Sequence, residues 1–86
     1  VRTYPDNVTA RNNAALAEIE TGHYAEAIGL LKDVQEPSLI NLLGVAYFKN
    51  GQLDEARSAF ERAQQAGYAG AGDNLKMLQE AEEMLE

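Results

Sequence analysis

Apolar residues recur at helical spacing along the chain, and glycine and proline residues separate the segments that carry them. No segment sustains the alternation of apolar and polar residues that a half-buried strand requires. The pattern therefore predicts no strand and five helices, over residues 8–21, 24–34, 38–50, 53–66 and 73–84. Asp6 or Asn7 is expected to cap the first helix, a role that competes with a glycosylation sequon at Asn7-Val8-Thr9. The short connections predict antiparallel neighbours.

The two halves of the chain share an internal repeat. When Gly51 is placed over Gly22, the stretch KNGQLDEARSAF falls on ETGHYAEAIGLL at an offset of 29 residues. Both stretches carry the pattern Gly-x-x-x-x-Ala, and Phe60 falls on Leu31. Two copies of one helical hairpin are predicted, because repeated helix pairs bury their apolar faces by stacking.

The second copy closely resembles the tetratricopeptide repeat. The positions that match the helical signature of that family are Ile40, Leu43, Gly44, Tyr47, Ala56, Phe60 and Ala63. The resemblance implies an all-α fold, a tetratricopeptide-like right-handed superhelix of two helical hairpins plus a C-terminal capping helix. The first copy is degenerate, since Ala14, Ala15 and Glu18 replace the Leu, Gly and Tyr of the family. The stretch GYAGAGDNL is also similar to the related Sel1-like repeat, which has the same helix-pair architecture.

We expect one domain over residues 1–86, with a degenerate repeat at 8–36, a second repeat at 37–70 and a capping helix at 71–86. The first repeat is shorter than the usual length of about 34 residues. Its second helix or the connection that follows should therefore be abbreviated. Because the chain begins at Val1 rather than Met, we expect it to be a fragment. Pro5 resembles the proline that ends a previous repeat, so we also expect a helical segment before Val1.

Gly44 lies in the most apolar turn of the third predicted helix, where glycine costs about 1 kcal/mol relative to alanine. Two helix axes approach closely only where a side chain is missing. Gly44 is therefore predicted to face Ala56 and the turn that carries Ala59 and Phe60. The contact between the helices would offset the cost of the glycine.

Composition excludes several classes of function. The 86 residues carry fourteen acids against seven bases, and the net charge of −7 argues against nucleic acid as a partner. The chain lacks cysteine and has His23 as its single histidine, so we predict no metal site and no cofactor. A triad would need His23 with Ser38 or Ser58, and both serines read as helix-surface positions, so we predict no enzyme. No apolar run approaches the roughly 18 residues that span a bilayer, so we predict no membrane insertion of this segment.

The last seven residues of the chain contain four acidic residues. Their simplest interpretation is a solvated helix face, and the alternative is a docking surface for a basic partner. These residues are Glu80, Glu82, Glu83 and Glu86.

The resemblance also implies a concave groove lined by the first helix of each repeat. Asn12 and Asn41 occupy equivalent positions, and two amides one repeat apart can hold the backbone of an extended peptide, with Asn74 continuing the row. The basic clamp that some members use for a carboxylate is absent, since Lys49 is the single cation there. The residues that match the groove are Thr9, Asn12, Leu16, Ile19, Ser38, Asn41, Val45, Phe48 and Lys49.

The predicted function is a non-catalytic protein–protein interaction module that binds a peptide segment or a neighbouring domain through this groove. The alternative is a structural or scaffolding segment of a bacterial cell-envelope protein on the periplasmic side of the outer membrane. This alternative rests on two stretches that resemble the C-terminal helical segment of some outer-membrane-protein-A-like proteins. They are RTYPDNVTARNNAALAEIETG and AGDNLKMLQ. The identity of the partner and the oligomeric state stay open.

Overall fold

Residues 7–85 fold into five α-helices. A computed structural model describes residues 7–85, and its helices are α1 (Val8–Glu20), α2 (Tyr24–Leu31), α3 (Pro37–Lys49), α4 (Leu53–Gln65) and α5 (Gly70–Met84). Residues 7–85 contain no strand, which confirms the predicted all-α class. The arrangement is consistent with a tetratricopeptide-like helical repeat fold. Within the same residues, no helix combines the length and the apolar character that crossing a membrane requires.

Local features of the sequence set where α1 and α3 begin. The side chain of Asn7 accepts a hydrogen bond of 3.1 Å from the backbone N–H of Ala10, which confirms Asn7 as the cap of α1. The other cap candidate, Asp6, lies outside the described residues. Pro37 occupies the first turn of α3, where its fixed φ suits the helix and its missing N–H costs nothing.

Glycines in the left-handed region end three of the helices. Gly22, Gly51 and Gly67 have φ of +82°, +83° and +94° and follow α1, α3 and α4. After α3, the N–H of Gly51 donates to the carbonyl of Phe48 at 3.1 Å, and the next N–H, of Gln52, donates to Tyr47 at 2.9 Å. This pair of bonds is the Schellman motif, which reverses the chain within a few residues. The glycines that separate the predicted helices in the sequence thus form the turns between them.

The closest approach in the fold lies between α3 and α4. Gly44 is buried on α3, and a Cβ placed on it would lie 2.5 Å from two ring carbons of Phe60 on α4. Phe60 is fully buried beside Ala56. The predicted contact between Gly44 and the Phe60 turn is therefore confirmed, and the missing side chain is what admits the ring.

Helix α3 is the centre of the fold, because it contacts each of the other four helices. Before α3 in the chain, α1 packs against α2, and after it, α4 packs against α5. One cluster of buried residues joins the two hairpins, and a second, around Phe60 and Leu78, joins α4 to α5. The largest fully buried side chains are Phe60, Leu31, Leu39 and Leu78.

Two helix ends differ from the prediction by three residues, and the other ends lie within one residue of it. Helix α2 ends at Leu31 rather than at 34, so the abbreviated second helix of the first repeat is confirmed. Val34 is nevertheless buried, because the turn that follows α2 folds it back onto the core. Helix α5 begins at Gly70, three residues before the predicted start, since Gly70 and Gly72 are accommodated within its first turn.

The apolar stripe of α5 covers the hairpin in part. Leu78 is fully buried, while Leu75 is half-buried against the second cluster. Leu85 follows Leu78 by seven residues, on the same side of α5, and is 75% exposed. Because Glu82 already pairs with Arg57 in the second turn of α4, Leu85 lies about one turn further on. It therefore reaches the level where α4 begins and finds little to pack against.

Candidate functional site

Helices α1 and α3, which carry the predicted groove residues, contact each other. We call the surface that carries these residues the α1–α3 face. Its exposed positions lie near the helix ends, and its half-buried positions, most of them apolar, lie further along the helices. The exposed residues are Thr9, Ser38 and Lys49, and the half-buried ones are Asn12, Leu16, Val45 and Phe48.

Two of the predicted groove residues offer little surface to a partner. Ile19 is 7% exposed and belongs to the main core cluster, because the tight packing of α1 on its neighbours covers it. It is a core residue, which corrects its place in the groove. Asn41 is 9% exposed and is the one buried polar side chain among residues 7–85.

The buried side chain of Asn41 has a hydrogen-bond partner on α5. The amide nitrogen of Asn74 donates to the side-chain oxygen of Asn41 at 2.8 Å. A buried amide without a partner costs about 1–3 kcal/mol, so this bond stabilises the contact between α3 and α5. The row of amides thus reaches α5, but two of its members bind each other. Asn12 keeps a partly exposed amide on α1.

The α1–α3 face is nearly neutral in an acidic chain. Lys49 is the single charged residue among the predicted groove positions, and it closes the C-terminal end of α3. Ser38 lies at the opposite end of α3, about 16 Å away along the helix axis at 1.5 Å per residue. That length accommodates about five residues of extended chain. Apolar contact would come from Leu16 and Val45, and hydrogen bonds from the hydroxyl and amide groups beside them.

Sequence reasoning missed a small cleft on the other side of α3. Tyr47, a position of the repeat signature, is half-buried and lines a cleft of about 140 Å³ between α2, α3 and α4. Ligand pockets usually measure about 300–1,000 Å³, so the cleft is suited to a single side chain. No sequence signal marks it, because Tyr47 occupies a position that the repeat pattern assigns to packing. The lining residues are Lys32, Leu43, Tyr47, Glu55, Ser58, Ala59 and Arg62.

The single histidine lies in a helix-end cluster. Nδ1 of His23 is 2.8 Å from the hydroxyl of Thr21 and 3.9 Å from a carboxylate oxygen of Glu18. The hydroxyl of Thr21 is also within hydrogen-bonding distance of the carbonyl oxygen of Ala17, at 2.9 Å. Thr21 and His23 are both exposed, at the C-terminal end of α1. This arrangement holds the turn after α1 together and leaves the hydroxyl poorly placed to attack a substrate. Residues 7–85 contain no group of three or more His, Cys, Asp or Glu side chains that could hold a metal ion.

The terminal acids do not form one solvated face. Glu80 and Glu83 are exposed, whereas Glu82 is half-buried and forms an ion pair with Arg57 on α4. Helical spacing turns Glu82 toward α4 and the other two away from it. Glu86 lies outside the described residues.

Comparisons with known proteins agree with this architecture. Residues 37–66, which hold the hairpin of α3 and α4, match the family model described as "Tetratricopeptide repeat". The chain is also 38% identical over 69 residues to "Protein CTR9 homolog" from Arabidopsis thaliana, an alignment that covers 73% of this chain. It spans 6% of the length of that relative. No solved structure gives a significant match.

Proposed function

We propose, from the tetratricopeptide repeat at residues 37–66, that this chain is a non-catalytic protein–protein interaction module. Repeats of this family generally mediate protein–protein contacts, and the likeness lies in the hairpin that carries half of the α1–α3 face. The partner would be a peptide segment or a neighbouring domain, bound along this face. The observation that carries the proposal is the contact between α1 and α3, with accessible groove positions on both helices.

The chemistry of the face sets the kind of contact. Half-buried Leu16, Val45 and Phe48 offer apolar surface, while Thr9 and Ser38 add hydroxyl groups at exposed positions. A face of two helices buries less than the roughly 800 Å² per partner of a standard interface, so binding should be weak to moderate. Because Ile19 and Asn41 are buried, neither is a suitable position for testing contact with a partner.

The test uses peptides selected from a random library on the immobilised chain. Each peptide is titrated against the wild type and against Ser38→Arg, which places a bulky side chain at the exposed end of the face. The matched control is Ser58→Arg, the same change at an exposed position of α4 that lines the cleft on the other side of α3, away from the α1–α3 face. We expect Ser38→Arg to weaken binding about tenfold, equivalent to about 1.4 kcal/mol, and Ser58→Arg to leave it within twofold.

A second variant, Lys49→Glu, alters the other end of the face, and circular dichroism verifies that each variant is folded. If every selected peptide binds Ser38→Arg and Lys49→Glu as tightly as the wild type, the α1–α3 face is not the binding site.

A structural or scaffolding segment of a larger chain is the second candidate. The matching region makes up 6% of the plant relative, so a similar sequence can serve as one part of a long polypeptide. Neither comparison supports the bacterial cell-envelope setting, which stays a prediction together with its localisation. An elongated dimer in sedimentation velocity would favour the scaffolding role over peptide binding.

A further inference from the structure

Helix α5 exposes apolar side chains that the fold does not cover. Apart from Val8, the exposed large apolar residues among 7–85 all lie on α5 or at its C-cap: Met77 at 40%, Met84 at 87% and Leu85 at 75%. Single exposed apolar residues are ordinary on a protein surface. Met77 and Met84 lie seven residues apart on one side of the helix, and exposed apolar side chains that lie together mark interaction sites.

Four of the exposed residues of α5 form two parallel rows, and exposed Lys76 lies next to Asp73 and Glu80, three residues after the first and four before the second. Met77 and Met84 are seven residues apart, and so are Asp73 and Glu80. Seven residues make nearly two helical turns and return to within about 20° of the same direction. Each pair therefore runs along the helix axis. Met77 follows Asp73 by four residues and precedes Glu80 by three, which makes the rows immediate neighbours. We call them the methionine row and the acidic row.

The remaining faces of α5 are already occupied. Leu78 is buried in the second core cluster, and Glu82 pairs with Arg57 on α4. Asn74 donates its hydrogen bond to Asn41 on α3. These contacts fix the rotation of α5 and leave both rows on its solvent side, where all four residues are exposed.

We propose that the two rows dock an amphipathic helix of a partner protein that carries apolar residues every seven positions beside a row of Lys or Arg. Methionine is flexible and polarizable, which suits it to packing against varied apolar side chains. The acidic row sets two negative charges against the one positive charge of the neighbouring Lys76, and this excess of negative charge orients such a helix. A second copy of the chain fits poorly, because it would bring its own acids and a net charge of −7 against the same surface. The surface shares no residue with the α1–α3 face, so the inference does not depend on the function proposed above.

The probe is a synthetic amphipathic helix of about three heptads, with leucines on one face and lysines beside them. A peptide of the same composition in scrambled order has no apolar face and serves as the peptide control. Binding to the 86-residue chain is measured by fluorescence anisotropy at physiological salt. Chemical shifts of the 15N-labelled chain locate the site.

The variants separate specific docking from general charge attraction. Glu80→Lys reverses a charge in the acidic row, and Glu83→Lys reverses an exposed charge on the same helix about 100° away from Met84. We expect about a fivefold loss for Glu80→Lys, less than twofold for Glu83→Lys, and about a tenfold loss for Met77→Gln with Met84→Gln. Circular dichroism verifies that the helices persist, and Ser38→Arg should bind the probe like the wild type.

Several outcomes would overturn the proposal. These are equal binding of the scrambled peptide, equal losses for Glu80→Lys and Glu83→Lys, or no binding of the probe at all. Loss of binding in Ser38→Arg with shifts on α1 and α3 would place the probe on the α1–α3 face instead. A concentration-dependent dimer that Met84→Gln abolishes would show that a second copy is the occupant.

Discussion

Replacing Gly44 with alanine tests how α3 and α4 hold together. A Cβ at position 44 would lie 2.5 Å from Cδ1 and Cε1 of Phe60 and 3.0 Å from Cζ. Carbon atoms pack at about 3.5–4.0 Å, so the ring would have to move by roughly 1 Å. Phe60 has no exposed surface, and its neighbours in a close-packed core cannot give way freely.

Two opposing terms set the size of the effect. Alanine gains about 1 kcal/mol of helix propensity over glycine. Overpacking a core costs about 1–3 kcal/mol. Since the ring is fully buried and the overlap involves two of its atoms, we expect the upper part of that range and a net loss of about 1–2 kcal/mol. The melting temperature should fall by roughly 4–8 °C for each kcal/mol in a domain of this size.

The assay is urea unfolding followed by far-UV circular dichroism, and the matched control is Gly29→Ala. Gly29 is an exposed glycine within α2, and a Cβ on it would meet no atom within 4 Å. This control should stabilise the chain by about 0.5–1 kcal/mol through helix propensity alone. In a Phe60→Leu background the penalty of Gly44→Ala should shrink, because the smaller side chain leaves room for the Cβ. If Gly44→Ala were to stabilise the chain as much as Gly29→Ala does, the packing explanation would be wrong.

Two further substitutions test the turn and the amide pair. Gly51→Ala should lower the free energy of unfolding by about 1–2 kcal/mol, because an L side chain is strained in the left-handed region, where φ of Gly51 is +83°; an unchanged urea midpoint would contradict this. Asn74→Ala should cost about 1–3 kcal/mol, since it leaves the buried side-chain oxygen of Asn41 without its donor. The double variant Asn41→Ala with Asn74→Ala should cost less than the two single changes together, and strictly additive free energies would show that the pair is not coupled.

Much of the fold was predictable because its signals are local. Asn7 caps α1 through a side chain three residues from its donor, and Gly51 ends α3 through its own φ. Such interactions involve neighbours in the chain, so residue type and spacing reveal them. The match of Gly44 to Phe60 is longer in range, but the repeat pattern fixes both positions at once.

The candidate site was less predictable, because accessibility depends on what other helices cover. Helical spacing put Ile19 and Thr9 on one face of α1, yet Ile19 lies in the core and Thr9 is exposed. Asn41 likewise follows the groove spacing, and α5 buries it. Burial is set by contacts between segments far apart in the chain, which periodicity alone does not specify.

The sequence by itself determined the helices, their order, the hairpin turns and the glycine at the contact between α3 and α4. These features depend on backbone conformation and on short-range spacing, which each segment carries within itself. The tertiary structure alone decided the rotation of α5, because its contacts with Asn41 and Arg57 come from other helices. That rotation determines which acids are paired and which methionines face solvent, since a helix of 3.6 residues per turn offers every side chain a different direction.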